Sequence, residues 1–150
     1  RMLPESVRAD SKADSVHLAM FPEVDPRWND LVLAERWEQL LEVRTAVQAA
    51  LEVQRREKVI GAPLEAKVLI DAHSAQYNLL KTYGQDLPAF FIVSDVVLQS
   101  APDLPEKPGF VITVEKATGV KCERCWNYRG SVGTSSDHPT LCDRCVEAVR

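Results

Sequence analysis

Four thiols are the residues best placed to do chemistry in this chain: Cys122-x2-Cys125 and Cys142-x2-Cys145, with sixteen residues between the pairs. They are all the cysteines the sequence has. Two facing Cys-x2-Cys turns have the spacing of a metal site. Four sulfurs with no histidine or carboxylate among them suit zinc or a single iron. Such a set leaves no open coordination position for substrate or water, so one structural ion is expected. Two alternatives use the same residues. A pair of disulfides requires an oxidising compartment, for which no secretory segment speaks, and an iron electron carrier calls for an apolar, aromatic shell. Each turn here instead reads Cys-acid-Arg-Cys, so Arg124 and Arg144 stand at matching places to offset the charge of four thiolates around a divalent ion. The two turns look like a pseudo-symmetric pair.

The elements that must hold these turns are thin. Residues 118–150 contain few large apolar side chains: Val120, Trp126, Tyr128, Val132, Leu141, Val146 and Val149. A piece this short cannot bury enough surface to fold unaided, so metal binding has to supply its folding free energy. The rest of the chain is better provided. At 45% hydrophobic and 27% charged it has the composition of a soluble domain with a sizeable core, and no apolar run approaches the length of a membrane span. The net charge of -4 argues against bulk electrostatic capture of nucleic acid, so any such contact must be local. Cysteines used only as ligands, with no secretory segment, lead to a cytoplasmic expectation.

Residues 1–26 carry Pro4, Pro22 and Pro26 with little periodicity and read as an extended connector. Its apolar points are Val16-His17-Leu18 and Phe21-Pro22, and a chain that begins this way is expected to be cut from a longer one. Asp25-Pro26 supplies a cap and a first-turn proline. Leu33, Trp37, Leu40, Val47 and Leu51 then recur at helical spacing, with Leu41, Val43 and Ala50 widening the stripe, which predicts one long amphipathic helix to about Lys58, ended by Gly61 and Pro63. Arg55, Arg56 and Lys58 bunch at its end, either as part of a solvated charged face or as a phosphate contact. Leu64–Ile70 reads as a strand, Ser74–Tyr83 as a short helix stopped by Gly84, Ala89–Leu98 as a central strand, and Phe110–Lys116 as a third strand leading into the ribbon. The predicted fold is therefore α+β: a long N-terminal helix, a small mixed layer of about three strands with one short helix, and a C-terminal four-cysteine zinc ribbon.

His17, His73 and His138 have no nucleophile or carboxylate partner at a recognisable spacing, and there is no glycine-rich phosphate loop. Taken alone, these residues are not expected to catalyse a reaction.

Several stretches carry a family resemblance: Ser15-Val16-His17-Leu18 with Phe21-Pro22, Val43-Arg44 through Leu51-Glu52, and Arg56-x-Lys58-x-Ile60-Gly61-x-x-Leu64-Glu65-Ala66. To these add Lys121-Cys122-Glu123-Arg124-Cys125-Trp126-Asn127-Tyr128 with Leu141-Cys142-x-Arg144-Cys145-Val146. Over roughly Ser15 to Val149 the chain resembles the C-terminal end of bacterial isoleucyl-tRNA synthetases. The resemblance implies four parts: a connector (1–26), the end of a helical anticodon-binding domain (27–63), a small α+β junction domain (64–117) and a zinc ribbon (118–150). It implies that the family's ATP-using catalytic fold and its editing domain lie upstream; the His-Ile-Gly-His and Lys-Met-Ser-Lys-Ser signatures do not occur in these residues. It further implies tRNA, through its anticodon loop, and the rest of the synthetase as partners, with no DNA, no membrane and a monomeric state. Arg124 and Trp126 are the leading tRNA-contact candidates, since loop bases are held by stacking on guanidinium and aromatic planes. Arg129, Arg144 and Lys121 are candidates for backbone phosphates. Against this, Arg124 could simply balance thiolate charge and Trp126 fill the ribbon core. A formamidopyrimidine-DNA glycosylase tail, which carries a similar terminal zinc finger, and a purely structural docking ribbon are the competing readings.

Overall fold

The structure is a computed structural model that describes residues 24–149. The expected connector motifs around Val16 and Phe21 lie outside the described residues. The described part falls into two units dividing between Leu33 and Ala34. In the first, Asp25 caps a single 3-10 turn, Pro26–Trp28, its carboxylate accepting from the Arg27 backbone N–H at 2.9 Å. The predicted helix start is corrected here: the turn stops at Asn29, and helix α1 runs Leu31–Arg56. A fresh cap, Asp30 Oδ1 accepting from Leu33 N at 2.9 Å, opens it.

In the second unit α1 buries Leu40, Val43, Val47 and Leu51, a stripe at spacings of three and four. Trp37 remains 41% exposed, its ring edge-on to Phe90 with centroids 5.5 Å apart. At the other end Arg55 and Arg56 both bond the Glu52 carboxylate, at 2.7 and 3.0 Å, which favours the solvated-face reading of that basic cluster. The helix closes with the amides of Lys58 and Val59 bonded to the carbonyls of Arg55 and Gln54, and with Lys58 left-handed at φ 61. That is a Schellman closure at the position where glycine is usual.

Strand β1 (Ala66–Ala72) is the centre of a three-stranded sheet ordered β2-β1-β3. It runs parallel to β2 (Asp95–Ser100) and antiparallel to β3 (Phe110–Lys116). Parallel neighbours need a crossover, and helices α2 (Ser74–Thr82) and α3 (Leu87–Phe91) lie along it. Two predictions fail here. Ala89–Leu98 is not one central strand: its first residues complete α3, and β2 is an edge strand. The cause is again a closure without glycine. Ile92 adopts φ 61 while Ile92 N and Val93 N bond the carbonyls of Ala89 and Pro88. Helix α2 ends at Thr82, capped by Tyr83 at φ -107, just ahead of the Gly84 expected to stop it.

Alternate residues of β1, Ala66, Val68, Ile70 and Ala72, are fully buried beneath the helices, joined by Leu80, Leu87, Phe91 and Val93. Val96 and Leu98 of β2 and Phe110, Ile112 and Val114 of β3 flank them on the same face. The fold is α+β, as predicted, with helices on one sheet face. The other face carries the cross-strand ion pair Lys67–Glu115 at 3.7 Å.

Candidate metal centre

The ribbon begins at Gly119, whose φ of 95 turns the chain back so closely that a Cβ there would lie 2.5 Å from the Arg129 carbonyl carbon. A two-stranded hairpin follows, β4 (Val120–Lys121) against β5 (Tyr128–Arg129), with the first cysteine pair at its tip. Cys122 N bonds Asn127 O and Trp126 N bonds Cys122 O, each at 2.9 Å, and the turn closes with Trp126 left-handed at φ 65. The second pair is built differently. Cys142 precedes helix α4 (Asp143–Glu147), and the amides of Cys145 and Val146 bond its carbonyl. The expected pseudo-symmetry therefore extends to sequence only: one knuckle is a hairpin tip and the other a helix start. Glu123 N to Thr140 O, 3.2 Å, ties them together.

All four sulfurs come within 4.8 Å of one another, and Cys125 Sγ lies 3.7 Å from Cys142 Sγ. Tetrahedral zinc with Zn–S bonds of about 2.3 Å needs sulfur separations of roughly 3.8 Å. The donor set fits that requirement. Cys122, Cys142 and Cys145 are buried, with the partly buried Cys125, Val132 and Leu141 packed against them. Val120 and Val149 are exposed, so the apolar content is as meagre as the composition implies.

Polar groups converge on the sulfurs. Cys142 N bonds Cys122 Sγ at 3.3 Å, Asn127 Nδ2 reaches Cys125 Sγ at 3.6 Å, and Arg124 Nη1 reaches Cys145 Sγ at 3.7 Å. Burial pushes the Cys122 thiol up, but the backbone N–H groups of Cys125, Cys142 and Arg124 outweigh it and bring it down to about 6. Cys142 is pushed up to about 12 by burial and by the neighbouring Cys145, Cys125 and Cys122, against the pull of the Cys145 amide. Four crowded thiols thus resist complete ionisation unless a cation joins them. Nearby, the Ser131 hydroxyl donates to Asp143 Oδ1 at 2.9 Å, tying the loop after β5 to α4. The Arg144 backbone N–H, then Ser131, then the charge of Arg129 hold the Asp143 carboxyl below its usual range.

The other candidates surround this centre. Trp126 is 60% exposed and stands outside the ribbon core. Lys121 Nζ sits over its ring, 5.7 Å from the centroid. Arg124 and Arg144 are exposed, and Arg129 is half-buried with Nε unpartnered among the described residues. Ser94 had no signal in the sequence. It is a buried hydroxyl that accepts from Tyr128 N at 2.7 Å and donates to Leu64 O at 2.5 Å, joining ribbon to sheet.

Fold and site together define a four-cysteine zinc ribbon carried on a small α+β layer. Residues 119–148 match the family described as a zinc finger found in FPG and IleRS. Over a longer span the chain is 46% identical to the isoleucine-tRNA ligase of Syntrophotalea carbinolica, an alignment covering 92% of this chain and 15% of that protein. It is 45% identical to the ligase of Geobacter sulfurreducens over 91% of this chain, and 46% identical to that of Symbiobacterium thermophilum over 88%, again 15% of each relative. The chain is thus related to a segment of the isoleucine-tRNA ligases, as its motifs indicated, and spans about 15% of the length of the curated relatives it matches. Its cofactor is one structural zinc ion, for which the four clustered cysteines are the donor set. Among the described residues no helix is long and apolar enough to cross a membrane.

Proposed function

We propose that this region is the C-terminal, tRNA-binding part of an isoleucine-tRNA ligase, the class I enzyme that uses ATP to attach isoleucine to its tRNA. In this reading the ribbon, 118–150, meets the anticodon loop and the sheet layer, 64–117, is a junction. The segment 27–63 closes a helical domain, and the exposed Leu31 and Val32 are suited to pack against that domain. ATP chemistry and editing belong to other parts of the ligase, which acts as a cytoplasmic monomer on RNA and not on DNA.

The observation that carries the reading is Trp126: an exposed indole on a left-handed backbone, one residue beyond a metal ligand. That backbone closes the knuckle turn, with Trp126 N bonded to Cys122 O, and so places the side chain directly beside the metal ligands. Zinc fastens the knuckles when bound. The chain's own residues then do the recognising. Lys121 Nζ lies 5.7 Å from the ring centroid, and the 60% exposed indole offers surface on which an unpaired base can stack. Arg124, exposed and reaching the Cys145 sulfur at 3.7 Å, offers a guanidinium on the same knuckle, while Arg129, Arg144 and Lys121 supply positive charge for phosphates. A surface ordered before binding loses less entropy on meeting RNA.

Replacing Arg124 or Trp126 by alanine, with zinc retained, should weaken tRNA binding in the ligase by about 1–3 kcal/mol. Wild-type binding in both variants would sink the proposal. The family description also names FPG, which keeps a glycosylase-like contact with duplex DNA as the second reading. Titrating the zinc-loaded chain with tRNA and with lesion-containing duplex DNA separates the two, and preference for the duplex would favour the second.

A further inference from the structure

Ser94 is a buried polar residue, 5% exposed, and it touches three segments of the molecule. Its amide bonds Ala66 O at 3.1 Å at the start of β1. Its hydroxyl donates to Leu64 O at 2.5 Å and accepts from Tyr128 N at 2.7 Å, partners 30 and 34 residues away. Tyr128 is the first residue of β5 and lies two residues from Trp126. A second tie, Ala117 N to Glu65 O at 2.7 Å, joins the same corner of the sheet to the strand leading into the ribbon. The ribbon's own core is small, and these bonds tie it to one corner of the sheet.

We infer that Ser94 is a positioning residue whose hydroxyl couples β5 to the sheet and thereby fixes the direction in which the ribbon presents Trp126 and Arg124 to RNA. The inference rests on the reading of the ribbon as a tRNA contact. Its physical content is specific: a hydroxyl both donates and accepts, so one side chain bridges a carbonyl and an amide that could not bond each other. Alanine removes both bonds while adding no bulk. Threonine keeps both. Cysteine ligands, Trp126 and Arg124 are untouched by either change.

Two measurements on Ser94→Ala and Ser94→Thr test it. In the zinc-loaded chain, amide exchange across Tyr128 and Arg129 should rise about tenfold in the alanine variant, with zinc content and exchange across β1 unchanged; threonine should restore protection. In the full-length ligase, KM for an isoleucine tRNA transcript should rise about fivefold in the alanine variant and recover in the threonine variant. Isoleucine activation without tRNA should stay at the wild-type rate. A wild-type KM for tRNA together with raised exchange at Tyr128 would overturn the positioning role, as would loss of zinc or of isoleucine activation. Trp126→Gly is the control for the underlying reading. If it and Arg124→Ala both leave KM for tRNA unchanged, the tRNA-contact reading fails. If it raises KM while Ser94→Ala does not, only the role of Ser94 fails.

Discussion

The sheet layer and the ribbon are covalently continuous and solve the stability problem in opposite ways. The layer buries Val68, Ile70, Leu80, Leu87, Phe91 and Val93 together with the inner stripe of α1, and its hydrogen bonds follow the strand ladders. The ribbon buries mainly three of its four cysteines. Apolar burial spreads stability over many side chains, each replaceable at a few kcal/mol, whereas a tetrahedral ion concentrates it in one centre. What the ribbon gains is a short chain held rigidly while its large side chains face outward. Trp126 is free to be 60% exposed because the metal, not the indole, organises its turn.

The sharpest way to break this comparison is to remove the ion. Chelation, or Cys142→Ser, should unfold residues 118–149 and leave the layer intact, because structural zinc contributes on the order of 10 kcal/mol to modules of this kind. Amide spectra unchanged in the ribbon, or lost throughout the chain, would contradict it. Acid should act in the same direction. A thiol whose folded pKa lies below its unfolded value supports the fold fully above that value and withdraws support as the pH falls. Without the ion, Cys122, lowered to about 6, works in this sense and Cys142, raised to about 12, in the opposite one, so it is the metal that needs all four thiolates. Because zinc binds thiolates and protons compete for the same sulfurs, zinc release followed by absorbance of a metal indicator should increase as the pH is lowered, with the layer's signals persisting.

The converse experiment is Ile70→Ala in the central strand. It should cost about 2–5 kcal/mol in denaturant unfolding of the layer, without changing the zinc stoichiometry of the folded protein; loss of metal at equal folded fraction would mean that the two regions are not separate in energy. The smallest effect expected is Lys58→Gly. Relieving a left-handed backbone at an exposed side chain should raise the layer's stability by about 0.5–1 kcal/mol, seen as a higher unfolding midpoint at constant m. A lower midpoint would show that the Lys58 side chain contributes more than its backbone costs.

Legibility followed the range of the interactions. The metal frame was readable because a Cys-x2-Cys turn is complete within four residues and the ion tolerates few other donor sets. The stripe of α1 was readable for a similar reason, since Leu40, Val43, Val47 and Leu51 are neighbours on one helical face. Ala89–Leu98 was misread because an apolar run does not distinguish a buried helix from a strand, and because the usual punctuation was missing. Ile92 takes the left-handed place that a glycine would have announced. Asp25-Pro26 was over-read: cap and proline were both real, but they close a single turn before Asp30 begins the helix.

By itself the sequence determined that four thiols would share one ion, that a long helix would offer one apolar stripe, and that the class would be α+β, all consequences of short-range periodicity and donor chemistry. Only the tertiary structure decided that β1 is central, that the two knuckles differ in form, and that the Ser94 hydroxyl ties Tyr128 to the sheet. The sheet order and the Ser94 tie depend on groups 28 or more residues apart meeting in space. Such meetings are selected by the packing of the whole core and leave no local pattern in the chain.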